Sequence, residues 1–208
     1  MSYKTQKNNF CLRWQGKQKR IGITGGIATG KTSVSNFICE IKNWPALDAD
    51  IYAREALSPD SEISEKVLSR YGVRITNKDQ IINRKLLANI IFGNTNERLW
   101  LEKTIHPFIR KRFKEDLEKY KLEPKVLLII PLLFEQNYNN LCSEIWYVDC
   151  SKKTQIKRLT KRDGLTVNQA NQRINSQFQS SFKKQFSDFI INNTGDNKSW
   201  KTLIKKRL

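Results

Sequence analysis

The chain has 208 residues, 38% of them hydrophobic, enough for one domain with a real core or one domain carrying a sizeable insertion. Lys and Arg number 38 against 20 Asp and Glu, and the net charge of +18 calls for an anionic partner such as nucleic acid, acidic lipid or a phosphorylated small molecule. The longest apolar run, Val126 to Phe134, is broken by Pro131 and falls far short of the roughly 20 residues of a membrane span, while Cys11, Cys39, Cys142, Cys150 and the single His106 lack metal-site spacing and read as reduced thiols and a lone histidine in a cytoplasmic protein.

Met1 to Lys19 carries Lys4, Lys7, Arg13, Lys17 and Lys19 and no acid. Without the apolar centre or small-residue cleavage site of a signal peptide, it reads as a basic N-terminal extension, with a targeting peptide as the alternative. Arg20 to Thr24 predicts a short buried strand, and Gly25, Gly26, Ile27, Ala28, Thr29, Gly30, Lys31, Thr32 and Ser33 follow it into a stretch of helical spacing. Gly25, Gly30, Lys31 and Thr32 satisfy G-x-x-x-x-G-K-[ST], in the strand-to-helix context that gives the pattern its meaning. Glycines let the backbone curl and aim N–H groups at an anion, and the helix adds its positive end. In such a loop Lys31 lies along the β- and γ-phosphates and the Thr32 hydroxyl ligates Mg²⁺, so ATP and Mg²⁺ are the expected ligands.

Trp44 to Asp48 predicts a second strand, leading into "LDADIYAREAL". Alternation along a strand would aim Asp48 and Asp50 the same way, toward a reacting hydroxyl and a metal. Helix capping is the alternative use of either acid. Ile51 to Pro124 is too long for one crossover helix and has its own apolar periodicity in Ile81, Leu86, Leu87, Ile90 and Ile91, then Leu99, Ile105, Phe108, Ile109 and Phe113. This predicts a helical insertion over 57–122, set into a core of 20–56 and 123–208.

Further strands are predicted at Lys125 to Leu132, Glu144 to Asp149 and Asp188 to Asn192, which makes the fold α/β with a five-stranded parallel sheet. Lys152, Lys153, Lys157, Arg158, Lys161 and Arg162 form a basic run ahead of Gly164. A solvated helix face is the ordinary reading of such a run. "TKRD" (Thr160 to Asp163) imitates a guanine-reading motif but lies in this basic run instead of after a strand, and no D-x-x-G follows the loop, which argues against a GTPase.

The P-loop "TGGIATGKT", "DAD" with "AR" shortly after, "HPFIRKRF", "IPLLFE", "KRLTKRDGLT", "RINSQ" and "DFIINNTG" occur in the order and spacing of the dephospho-CoA kinase family, which the chain resembles from about Arg20 to its end. The resemblance implies transfer of the ATP γ-phosphoryl group to the ribose 3′-hydroxyl of dephospho-CoA, the last step of coenzyme A synthesis, on a P-loop core with a CoA-binding domain and a lid near 152–170. By position it implies Asp50 as base with Asp48 beside the metal, and Arg158 and Arg162 as lid arginines over the phosphates. Its implied substrate contacts are His106, Arg110, Pro131, Leu132 and Glu135. Ala28 and Thr29 stand where the family usually has Gly and Ser, and Asn192-Asn193 where it has a [DE]N pair.

Two other readings compete with this one. A kinase for another small hydroxyl compound, such as shikimate or a nucleoside, also uses paired acids after the second strand, but the long insertion and the "HPFIR" and "IPLLFE" segments argue against it. A nucleic-acid binder would use the basic ends, yet the chain has no stacking platform or zinc knuckle, so no specific nucleic acid and no membrane are expected as partners.

Overall fold

The structure is a computed structural model that describes residues 10–77, 79–195 and 199–208. In chain order the elements are β1 (Lys19–Gly25), α1 (Lys31–Lys42), β2 (Ala46–Asp48), α2 (Ala49–Glu55), α3 (Glu62–Tyr71), α4 (Arg84–Gly93), α5 (Thr95–Lys119), β3 (Lys125–Ile129), β4 (Glu144–Asp149), α6 (Lys152–Asp163), α7 (Val167–Asn175), α8 (Ser180–Gln185), β5 (Phe189–Asn192) and α9 (Ser199–Arg207). They divide into two units, Met1–Asp48 with Tyr120–Leu208, and Ala49–Lys119.

The first unit is built on a five-stranded parallel sheet in the order β2-β3-β1-β4-β5. Its central strands are apolar along their length because helices cover both faces, as parallel sheets require. On one face Ile21, Ile23, Leu127, Trp146, Val148 and Ile191 pack with Val34, Phe37 and Ile38 of α1 and Trp200 and Ile204 of α9. β3 stops at Ile129, short of the predicted Leu132. Ile130 N–H still donates to Ile23 O at 3.0 Å, and Pro131, which has no N–H, ends the pairing. The chain runs from β1 to one side of the sheet and later places β4 on the other, so the strand order reverses at β1, and the crevice at its carboxyl end is where open α/β sheets bind ligands.

The basic extension expected over 1–19 is packed against this unit from Phe10 on, while residues 1–9 lie outside the described residues. Phe10 is buried edge-on to Phe182 at 5.2 Å and Phe134 at 6.0 Å. Asn139 Nδ2 donates to Leu12 O at 3.0 Å, and the Arg20 guanidinium stacks 3.6 Å over the Trp14 ring. Glu144 fastens the opposite end of the chain: Lys19 and Arg207 each reach it at 2.7 Å. Burial would raise the Glu144 carboxyl, but the hydrogen bonds from Lys19, Arg207 and Trp146 outweigh that and hold its pKa at about 2.

The second unit, Ala49–Lys119, contains α2, α3, α4 and α5. Leu101, Ile105, Ile109, Phe113 and Leu117 form the buried stripe of α5 at a four-residue spacing. Ser61 and Asn83 accept first-turn N–H groups to cap α3 and α4. This unit begins at Ala49, earlier than the expected residue 57. The reason lies in α2: Tyr52 is edge-on to Phe113 at 5.0 Å and its hydroxyl donates to Asp116 at 2.5 Å, while Arg112 Nε donates to Glu55 at 2.9 Å. These bonds make α2 part of the insertion. No helix among the described residues is long and apolar enough to cross a membrane.

Candidate active site

Gly30 precedes α1 with φ 95°, in the left-handed region, and no side chain caps the helix. The first-turn amides are thereby left for an anion, with the helix's positive end behind them. A cavity of about 890 Å³ opens there, its walls including Ala28, Gly30, Thr32, Ser33, Arg158 and Arg162. Thr32 and Ser33 are exposed in the first turn.

All the loop carbonyls from Gly25 to Thr29 are engaged by side-chain donors. Lys31 Nζ donates to Gly25 O at 3.1 Å and Gly26 O at 2.9 Å, and Thr29 Oγ1 also reaches Gly26 O at 2.9 Å. Gln155 Nε2 donates to Ile27 O at 2.7 Å. Arg158 Nη1 serves Ala28 O and Thr29 O, both at 3.1 Å, while its Nη2 serves Asn193 O at 3.1 Å, and Asn193 Nδ2 donates to Thr29 O at 2.8 Å. With the negative ends of the peptide dipoles held by protein donors, the loop is prepared for an anion.

The glycines serve a purpose beyond the one their sequence pattern suggests. A Cβ on Gly25 would lie 2.3 Å from Val148 O, one on Gly26 2.6 Å from Gln155 Nε2, and one on Gly30 2.2 Å from Asn193 Nδ2. They make room for the groups that hold the loop as well as for phosphate. Ala28 takes φ 59°, a left-handed conformation that costs a residue with a Cβ about 1 kcal/mol and glycine nothing.

The remaining predicted residues are distributed over both units. Of the basic run, Lys152, Lys153, Lys157, Lys161 and Arg162 are exposed, as a solvated face would be, and Arg158 is half-buried against the loop. Arg162 pairs with Asp163 through bonds of 2.7 and 2.9 Å, and Arg173 reaches the same carboxylate at 3.6 Å. The hydrogen bond from Arg162, ahead of both arginine charges, holds the Asp163 carboxyl below its usual range. Asp48 ends β2, whereas Asp50 is exposed in the first turn of α2. The strand's alternation therefore does not extend to Asp50.

His106 and Arg110 lie one turn apart on α5. Burial, and then the Arg110 charge, push the His106 imidazole down to about 4, so it is neutral at pH 7. Pro131 and Leu132 are half-buried just beyond β3. Glu135 Oε1 accepts from Phe178 N–H at 2.9 Å and pairs at 2.6 Å with Lys183, whose side chain is 0% exposed.

Sequence reasoning did not single out Gln155, Gln177 or Lys183, and marked Asn193 only as part of the Asn192-Asn193 pair. Gln177 and Asn193 lie within quoted motifs, "RINSQ" and "DFIINNTG", but neither charge nor spacing separates a loop-holding amide from a surface one. The expected thiols are all free, and no group of three or more His, Cys, Asp or Glu that could hold a metal occurs among the described residues.

A parallel sheet whose central strand passes through G-x-x-x-x-G-K-T into an uncapped helix defines a P-loop nucleotide-binding protein of the kinase type. The pattern that defines the dephospho-CoA kinase family matches residues 19–199. The chain is 58% identical to the dephospho-CoA kinase of Prochlorococcus marinus strain NATL2A, over 97% of this chain and 96% of that one. To the dephospho-CoA kinase of Trichormus variabilis it is 44% identical over 91% and 94%. A solved dephospho-CoA kinase from Campylobacter jejuni superimposes with a TM-score of 0.65 at 29% identity, covering 90% of this chain and 94% of that one. The chain belongs to the dephospho-CoA kinase family.

Proposed function

We propose that this chain is an ATP-dependent phosphotransferase that moves the γ-phosphoryl group of ATP to the ribose 3′-hydroxyl of dephospho-CoA, giving coenzyme A and ADP. The observation that carries the reading is the held loop, with its uncapped helix and Lys31, on a chain of this family. The triphosphate lies on the first-turn amides of α1, and Lys31 leaves the loop carbonyls for the β- and γ-phosphates. An oxygen–phosphorus bond forms at the 3′-oxygen as the β–γ bridging bond breaks; the hydroxyl proton passes to Asp50, and ADP leaves. A loose transition state asks more of positioning than of the base, so Asp50 orients the hydroxyl as well as accepting its proton.

Arg162 leaves Asp163 to meet the transferring charge, and Arg158 supports the loop while lining the nucleotide cavity. His106, a neutral imidazole that can hydrogen-bond, and Arg110, Pro131 and Leu132 are the proposed contacts of dephospho-CoA. Glu135 has its Oε1 committed to Lys183 and Phe178, so its part is to fix the segment that Pro131 begins.

The exposed Thr32 hydroxyl in the cavity wall, with Asp48 as an acid of the same unit, is an all-oxygen set of the sparse kind that suits Mg²⁺, an ion that takes its other ligands from phosphate and water. When bound it would neutralise charge on the β- and γ-phosphates. Free thiols support a reducing, cytoplasmic setting.

The test is ADP release from Mg-ATP with and without dephospho-CoA, followed by mass analysis of the acceptor. A gain of one phosphoryl group is expected, and Lys31→Ala is expected to lower turnover by at least about a thousandfold. Near-wild-type turnover of that variant would overturn the P-loop mechanism.

A further inference from the structure

Ile27, at the tip of the loop, has both its backbone polar groups held by glutamine side chains. Gln155 Nε2 donates to its carbonyl at 2.7 Å, and its N–H donates to Gln177 Oε1 at 2.9 Å. Gln155 stands in the first turn of α6 and is 8% exposed. Gln177 follows α7 by two residues, its own N–H donating to Ile174 O at 3.3 Å. The two glutamines thus bracket the segment that carries Arg158, Arg162 and Arg173, with one at each root. Gly26 gives Gln155 its passage, since a Cβ there would lie 2.6 Å from Nε2.

We propose that Gln155 and Gln177 are positioning residues of the nucleotide site, a clamp on the Ile27 peptide that fixes the loop in its anion-receiving shape and ties it to both roots of the arginine-bearing segment. Neither side chain needs to touch ATP. A part-buried amide whose partner is removed loses its hydrogen bond and bears part of its desolvation cost uncompensated, which a loop built from three glycines cannot absorb by packing. Movement of either root then carries the loop with it or breaks a bond to Ile27, so loop shape and the position of the arginines are linked.

The chemistry of the two bonds gives opposite predictions for one substitution. The Ile27 carbonyl needs a donor and the Ile27 N–H needs an acceptor. Gln177→Glu keeps an acceptor, whereas Gln155→Glu sets a carboxylate against a carbonyl. Each adds one negative charge beside the loop, so repulsion of the nucleotide is common to both, and the difference reports the hydrogen bond.

The proposal rests on nucleotide binding at the P-loop, so ADP binding to the wild-type chain is measured first by calorimetry. A wild-type chain that binds no ADP overturns that reading and this proposal with it. Given wild-type binding, Gln155→Glu should bind ADP at least about tenfold more weakly than Gln177→Glu. The KM for ATP should follow, and the KM for dephospho-CoA should stay within about twofold of wild type. Gln177→Met, which removes the acceptor at similar length, should weaken ADP about tenfold, and Gln177→Glu should recover it to within about threefold of wild type. This second pair decides the matter if Gln155→Glu does not fold. Equal affinities within each pair, or a fall in melting temperature with unchanged nucleotide KM, would overturn the clamp and leave the glutamines a purely structural role.

Discussion

At Gly25 and Gly26 the same added methyl group meets different kinds of neighbour. The obstacle at Gly25 is Val148 O, a backbone atom in β4 that cannot move without breaking the sheet. Gly25→Ala should therefore destabilise the fold by about 2–3 kcal/mol, lowering the melting temperature by roughly 5–10 °C. At Gly26 the obstacle is the end of the Gln155 side chain, which can swing aside. Gly26→Ala should keep its melting temperature within about 3 °C while weakening ADP about tenfold, because Ile27 O loses its donor; calorimetry and thermal melts on the two variants separate the cases. His106 allows a second residue-level prediction. With its pKa lowered to about 4, the unfolded chain takes up the proton first as pH falls, so stability is lost progressively from about pH 6.5 to about pH 4 and the loss levels off below. Urea unfolding at pH 7.5 and pH 5 should show wild type losing more stability than His106→Gln. Equal losses would mean that the imidazole is protonated in the folded chain.

Among the elements, the N-terminal segment has the most to add to the sequence reading. Phe10 lies at the centre of a ring cluster with Phe178, Phe182, Phe186 and Phe134, next to the Glu135–Lys183 pair and Gln177. Phe10→Ala should cost about 3–4 kcal/mol by the cavity it leaves, read as a lower urea midpoint, and the larger effect should fall on nucleotide KM if the cluster steadies the Gln177 end of the clamp. Basic charge in Met1 to Lys19 pointed to an extension, because charge counts say nothing about a single aromatic that finds its partners more than a hundred residues away. The strands and the loop were legible for the opposite reason: apolar runs, glycine spacing and helix periodicity are local signals, and parallel pairing turns them directly into a sheet. Asp50 marks the boundary between these cases. Its place after β2 could be read from the sequence, but its inclusion in a helix bound to the insertion depends on Tyr52, Glu55, Arg112 and Asp116, whose pairing no local pattern announces.

For the whole molecule the governing quantity is its charge of +18. Self-repulsion of that size opposes the folded state, while the same field draws in ATP and dephospho-CoA, both polyanions. Salt acts on both through one screening length, which falls from about 30 Å at 0.01 M to about 10 Å at 0.1 M. Stability and substrate affinity should move in opposite directions over this range: the melting temperature rises by a few degrees, while affinity for both substrates falls, read as a several-fold higher KM. Local pairs such as buried Glu144 with the exposed Lys19 and Arg207 are short, so they are screened less than the long-range field and do not reverse either trend. Thermal melts and steady-state kinetics at the two ionic strengths, with a neutral osmolyte as control, read the two effects separately. A rising melting temperature with flat KM values would mean that the positive excess faces away from both substrates, and would return attention to a second polyanionic partner such as RNA on the basic α9 and N-terminal segments.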